Sequence, residues 1–356
     1  MHFLCTRSIV LRTICLGFAV SNASVMARAQ SASPAAKSVA TDSLPLNQIH
    51  RLIDTGHSAD ALKQLDVIGV QRPIPQGVDR LRGMALYTLD RIPEAQAAFA
   101  AAAKADPQDE EATQMLGLTL YRLGKPADAI PLLESSHRWG GQTKVDPSYV
   151  LALCYMDTRR YDDARKAFAA QYGFAPDSAS AYLLAARMLL RREYVPVAQE
   201  FARKALALNP DLPLAHQLLG EVALAGEHLD EAISELEQER IRNPLNGVLY
   251  DRLGDAYSRA GDYQKAQQSL QRALLLEPNA TGPYILLGKV LLKRQDPASA
   301  VTYLERAVKM DPVNYMSHSL LGQAYRALGR AEDASRETQS AQKIQAANEP
   351  RLETLH

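Results

Sequence analysis

The chain has 356 residues, with 40 basic and 40 acidic side chains, 47% hydrophobic residues and only 6% aromatic ones. A formal charge of +0 excludes binding driven by a global field, as expected for a nucleic-acid or anionic-membrane ligand. The length alone is compatible with two or three domains, so the internal organisation has to come from pattern.

Residues 1–29 differ in kind from the rest. Arg7 and Arg12 precede an apolar run from Ile14 to Val20, and Ala27-Arg28-Ala29 supplies small residues before an expected cut ahead of Gln30. The segment reads as a secretory signal peptide, because its apolar run is far shorter than the roughly 20 residues that span a bilayer. Its removal takes three arginines and no acids, which leaves 37 basic and 40 acidic residues, and it also takes Cys5 and Cys15. Cys154 then stands alone, so no intramolecular disulfide is expected. Residues 30–41 are small and polar and read as a disordered tether.

From residue 42 a repeat sets in, and its clearest copy is Gly247 to Ala280. Tyr250, Leu253, Gly254 and Tyr257 fall at i, i+3, i+4 and i+7 on one face of a first helix. After a break at Gly261-Asp262, Ala266, Leu270 and Ala273 form a stripe on a second helix that Pro278 closes. Neither helix buries its stripe alone, and the hairpin needs a neighbour of its own kind. Steps of 34 residues find such neighbours. The second-helix alanine recurs as Ala61, Ala95, Ala129, Ala164, Ala198, Ala232, Ala266, Ala300 and Ala334. The first-helix small residue recurs as Gly83, Gly117, Ala152, Ala186, Gly220, Gly254, Gly288 and Gly322, with one register shift after Gly117. The closing proline recurs as Pro73, Pro107, Pro176, Pro210, Pro244, Pro278 and Pro312.

These slots, in this order, resemble the tetratricopeptide repeat (TPR) family. The resemblance implies an all-α fold, a right-handed α-solenoid of nine helix-turn-helix units at 42–75, 76–109, 110–143, 145–178, 179–212, 213–246, 247–280, 281–314 and 315–348, followed by a tail at 349–356. Prolines agree with these bounds: Pro93, Pro126, Pro196 and Pro297 start second helices, and Pro45, Pro147, Pro213 and Pro283 fall in the first turn of first helices. Pro131 lies deeper and is expected to bend its helix. It opens an irregular stretch, 131–176, that contains Trp139 and a one-residue insertion before Val145, and a change of curvature is expected there.

No catalytic constellation appears. His-Glu-x-x-His, Gly-x-Ser-x-Gly, a phosphate-cradling glycine loop and paired cysteines are all missing from the sequence. His216 and His318 occupy the bulky slot of a first helix and read as packing residues, so neither a cofactor nor a metal is expected.

In the family, a stripe of the first helix displaced from the packing face lines a concave groove that holds peptides. The matching positions here are Arg80, Met84, Tyr87, Leu118, Tyr121, Arg122, Tyr149, Leu153, Met156, Leu183, Arg187, Leu190 and Arg191 in units two to five. Aromatic, methionine and arginine side chains are the types enriched at interface cores. The later units present acids at Glu221, Asp251 and Asp255, then bases at Lys289, Lys293 and Arg326. The expectation is a non-enzymatic, exported scaffold, periplasmic or secreted, that captures a protein or peptide segment and has some capacity to self-associate. The alternative is a chaperone or assembly factor of a cell-envelope secretion or polysaccharide-export machine, docking through the C-terminal units.

Overall fold

A computed structural model describes residues 39–70, 73–138 and 147–348. Within them the chain forms nine helix pairs and no strand. The pairs are α1 (Val39–Asp54) with α2 (Ser58–Ile68), α3 (Val78–Thr88) with α4 (Ile92–Ala105), and α5 (Glu110–Arg122) with α6 (Pro126–Arg138). Then come α7 (Ser148–Asp157) with α8 (Tyr161–Tyr172), α9 (Ala179–Arg191) with α10 (Val195–Leu208), and α11 (Ala215–Ala225) with α12 (Leu229–Arg242). The last are α13 (Gly247–Arg259) with α14 (Tyr263–Leu276), α15 (Thr281–Lys293) with α16 (Pro297–Met310), and α17 (Tyr315–Ala327) with α18 (Ala331–Asn348).

Helix α1 opens at Val39, so helix reaches into the stretch expected to be a tether, and Pro45 lies inside it rather than in its first turn. Residues 1–38, Trp139, the insertion before Val145 and the tail lie outside the described residues.

The repeat ladders have direct physical causes. Every second-helix alanine of the ladder is buried, and the residue one turn on, such as Phe99, Leu133, Leu236, Leu270 or Leu304, is buried beneath the first helix of its own pair. The glycine opposite makes room for it. A Cβ on Gly254 would stand 2.5 Å from Leu270 Cγ, and one on Gly288 2.4 Å from Leu304 Cγ. Within each pair the chain turns through one residue of positive φ: Gly56, Asp90, Gly124, Arg159, Glu193, Glu227, Gly261, Gln295 and Gly329. Glycine holds this left-handed position at no steric cost, and the other side chains hold it under strain. Second helices start on Pro93, Pro126, Pro196 and Pro297, where the missing N–H is harmless. Side chains of Asp109, Ser178, Asn246 and Asn314 cap first helices by accepting from backbone N–H groups.

Neighbouring pairs are stapled by a recurring phenol. Tyr155, Tyr257 and Tyr325 donate to Glu134, Glu237 and Glu305 of the preceding second helix at 2.5, 2.9 and 2.6 Å. Arg160, Lys265 and Arg330 lie over the same three rings. Burial, and then the carboxylate hydrogen bond, pushes the Tyr257 and Tyr325 hydroxyls up to about 12.

Successive first helices approach one another directly along the array, while second helices do not come as close. The converging layer is the inside of a curved stack, so the first helices line the concave face. Their approach is weakest between α7 and α9. The buried core does not part at the irregular stretch: one cluster runs from Leu120 through α6, α7 and α9 to Val222.

Candidate groove on the first-helix layer

The inner layer brings together most of the side chains expected to line a groove, and it divides them into three kinds. Met84, Leu118, Leu183 and Leu190 are half-buried, resting on the core with one side open. Tyr149 is also half-buried and meets Phe168 edge-on at 5.8 Å between ring centres. These supply apolar surface.

Leu153 and Met156 do not belong with them. Met156 is wholly covered and Leu153 is 4% exposed. The reason lies in α7, which carries Leu151, Ala152, Leu153, Cys154, Tyr155 and Met156 as an unbroken buried row, apolar on every side, with Tyr149, Val150 and Asp157 half-buried at its ends. Both residues are therefore core, not lining. Cys154 is buried in the same helix, and burial pushes its thiol up to about 12, so it is inert at neutral pH.

Beside α7 the structure has a latch that sequence reading misses. Arg192, just past α9, donates from Nη2 to the Tyr121 hydroxyl of α5 at 2.7 Å and from Nη1 to Asp157 at the end of α7. It joins the third, fourth and fifth units across the loosest step of the inner layer. Tyr121 is thus engaged within the chain, and burial raises its hydroxyl pKa although Arg192 opposes the shift.

The charged residues sort in the same way. Arg80 reaches Asp109 at 3.2 Å and Glu111 at 3.4 Å. Arg122 pairs with Asp90 at 2.5 Å and lies over the Tyr87 ring. Arg259 donates to the Leu224 carbonyl at 3.0 Å and approaches Glu227. By contrast Arg187, Arg191, Lys289, Lys293 and Arg326 form no ion pair or side-chain hydrogen bond among the described residues. Between these cations stand Glu221 and Asp251, which share Arg252 at 3.6 and 3.5 Å, and Asp255, 3.9 Å from Arg259. Burial raises the Asp251 carboxyl, and Arg252 only partly offsets that.

The two core histidines do more than fill space. His216 Nδ1 lies 2.7 Å from Glu235 Oε2, and His318 Nδ1 lies 2.7 Å from Glu337 Oε2, each within its own helix pair. Among the described residues no group of three or more His, Cys, Asp or Glu side chains is arranged to hold a metal ion, and no helix is long and apolar enough to cross a membrane.

Comparison with known proteins agrees with the repeat geometry. A family model described as tetratricopeptide repeat matches residues 149–213 and 285–348, a second of the same description matches 257–312, and a model of anaphase-promoting complex subunit 3 matches 89–171. Anaphase-promoting complex subunit 3 of Schizosaccharomyces pombe is 24% identical over 246 residues, 68% of this chain and 36% of that protein. The chloroplastic tetratricopeptide repeat domain-containing protein PYG7 of Arabidopsis thaliana is 27% identical over 96 residues, 26% of this chain and 32% of that protein. The chain therefore spans about a third of the length of these curated relatives. Among solved structures, YrrB, described as a TPR protein with an unusual peptide-binding site, aligns at 24% identity and a TM-score of 0.44 over 52% of this chain and 95% of that one. The Cut9–Hcn1 hetero-tetramer aligns at 19% identity and 0.44 over 81% and 57%. With the small-residue ladders, the paired helices and the family matches in one register, the chain belongs to the tetratricopeptide repeat family.

Proposed function

We propose that the chain is a scaffold that holds a protein segment against its first-helix layer and performs no chemistry of its own. The reading rests on one observation: Leu118, Leu183 and Leu190 lie half-open on the concave layer, with Arg187 and Arg191 beside the last two making no ion pair or side-chain hydrogen bond among the described residues. Apolar anchors of this kind supply affinity, while cations fix the register of a partner through charge-assisted hydrogen bonds. Tyr87, Tyr149 and Met84 extend the same surface. Export to the periplasm or beyond is part of the proposal and is supported by the basic-then-apolar pattern of residues 1–29.

A photo-crosslinking residue placed at Leu183, at Leu118 or at the exposed second-helix position Glu200 tests the reading in native extract. An adduct from Leu183 with none from Glu200 is expected, and one from Leu118 as well marks a segment that passes the Arg192–Tyr121 contact. Adducts from Glu200 alone overturn it. Amino-terminal sequencing of the protein recovered from its host checks the cut ahead of Gln30.

A further inference from the structure

The inner-face cations follow a rule of position. Arg122 and Arg259 sit at equivalent places at the ends of α5 and α13, and each pairs with an acid 32 residues earlier, Asp90 and Glu227, at the left-handed residue of the preceding turn. Arg191 and Lys293 occupy the same place on α9 and α15, but the residues 32 positions earlier are Arg159 and Gly261. The acid is missing, and the cation is left over. Each of these two is also doubled by a second cation one turn back on the same helix face, Arg187 and Lys289. Like charges four residues apart are unfavourable on a helix. Among the described residues neither doublet has an acid within ion-pair distance.

We infer that the Arg187–Arg191 and Lys289–Lys293 doublets, the latter joined by Arg326, are two receptor points for carboxylates of one bound segment, which carries basic residues between them. This deepens the groove reading and rests on it. The helices α9, α11, α13 and α15 neighbour one another on the inner layer. At about 8–10 Å between packed helices the two doublets are about 25–30 Å apart. An extended segment covers that distance in about eight residues. Between the doublets acids outnumber bases: Glu221 on α11 and Asp251 on α13 share Arg252 at 3.6 and 3.5 Å, and Asp255 and Glu227 share Arg259 at 3.9 Å, so the middle of the segment meets a net negative floor. The pattern of the floor is basic, acidic, basic. Its complement is a peptide with Asp or Glu clusters at both ends and Lys or Arg at the centre.

The test uses the full chain and two fluorescent synthetic peptides of about nine residues: one with paired glutamates at each end and central lysines, the other with every charge inverted. Fluorescence anisotropy should show the first binding at least about tenfold tighter, with the preference fading as salt rises to about 0.5 M. The pair Arg187→Glu with Arg191→Glu, and separately Lys289→Glu with Lys293→Glu, should each weaken it about tenfold or more. Lys309→Glu, on the second-helix face of the eighth unit, should leave it unchanged. Circular dichroism confirms that each variant keeps its helices. Equal binding of the two peptides, or an equal loss from Lys309→Glu, overturns the charge assignment. If an adduct still forms at Leu183, the groove reading survives that failure; if none is seen, both fall.

Discussion

The substitution Gly254→Ala sets a known gain against a measurable obstruction. In a helix interior alanine is favoured over glycine by about 1 kcal/mol. Here the added Cβ would stand 2.5 Å from both Leu270 Cγ and Cδ2 and 3.3 Å from Cδ1. Carbon atoms prefer about 3.5–4.0 Å, so Leu270 must retreat by about 1 Å. It has nowhere to go, since its side chain is fully buried between α13 and its neighbours. Overpacking of this kind costs about 1–3 kcal/mol, and the expected net result is a loss of about 1 kcal/mol or more. Gly322→Ala should go the other way. Its Cβ would meet Thr338 Oγ1 at 3.0 Å and the Ala334 carbonyl at 3.3 Å, at the end of the array where Thr338 is only half-buried. There the helical gain prevails, and stability should be unchanged or slightly higher. Leu270→Ala alone should cost about 2–5 kcal/mol through its cavity. Combined with Gly254→Ala it should cost less than the sum, by about 1–2 kcal/mol, because the new methyl occupies space the leucine has left. Urea melts followed by circular dichroism give the totals. Hydrogen exchange at the α13 and α14 amides is needed beside them, because a repeat array need not unfold in one step. A Gly254→Ala protein as stable as the wild type, or an additive cycle, would refute the idea that close approach fixes the glycine ladder.

Met156→Ala, at a position that sequence reading assigns to the groove, should destabilise the fourth unit by about 2–5 kcal/mol, a core cost visible in thermal melts without any partner present. Gln295→Gly should stabilise by about 0.5–1 kcal/mol, since Gln295 is exposed and holds a φ of 62° that glycine adopts freely; a lower melting temperature would count against strain at that turn. Tyr257 and Tyr325 hold their protons to about pH 12 when folded, whereas an unfolded tyrosine releases its proton near pH 10. Their contribution, of order 2 kcal/mol each, is therefore complete below about pH 10 and lost as pH climbs from about 10 to 12. Stability measured against pH should fall less steeply there in Tyr257→Phe, and an identical slope would remove the phenol from the account. Arg192→Ala should cost more than Tyr121→Phe, because it leaves Asp157, whose side chain is 11% exposed, without its cation, whereas the phenylalanine forfeits only one hydrogen bond; equal losses in urea would mean the latch carries no buried charge.

The solenoid was legible in the sequence because close approach of a second-helix side chain to the first-helix backbone tolerates only small residues, and Gly83, Gly117, Gly220, Gly254 and Gly288 record that approach in steps of 34 residues broken by one single-residue shift after Gly117. The groove was less so. On amphipathic helices such as α9 the register separates a buried stripe from a more open one, and Leu183 and Leu190 are half-buried. On α7 every face is apolar, so the same register cannot tell which side faces out, and Leu153 and Met156 were placed on the wrong one. The Arg192–Tyr121 contact spans 71 residues and follows no repeat, which leaves no periodic trace. The phenol staples recur at repeat positions but join Tyr257 to Glu237 of another unit, a pairing that only the packed geometry reveals. The rule of the turn acid, in contrast, was within reach of the sequence: comparing Arg122 and Asp90 with Arg191 and Arg159 already distinguishes a paired cation from a free one.

The latch also bears on how long a partner segment can be. Because Arg192 bridges Tyr121 of α5 to Asp157 at the end of α7, a segment running the whole way from the second unit to the fifth must either rise over that bridge or displace it. Displacement strips Arg192 of two charge-assisted bonds and leaves Asp157 buried beside a core with no other cation at hydrogen-bond distance. The segment would have to return at least as much. Rising over the bridge leaves Tyr149 as the half-open aromatic footing on the fourth unit. A partner that begins at α9 meets neither penalty: Leu183 and Leu190 give it apolar footing, Arg187 and Arg191 give it charge, and the bridges beyond, Asn246 to Gln217, Arg252 to Glu221 and Arg259 to Leu224, join only the adjacent helices α11 and α13 on the way to the lysines of α15. The internal wiring of the middle units thus moves the more favourable binding surface toward the C-terminal half, away from the aromatic stripe that composition alone would select.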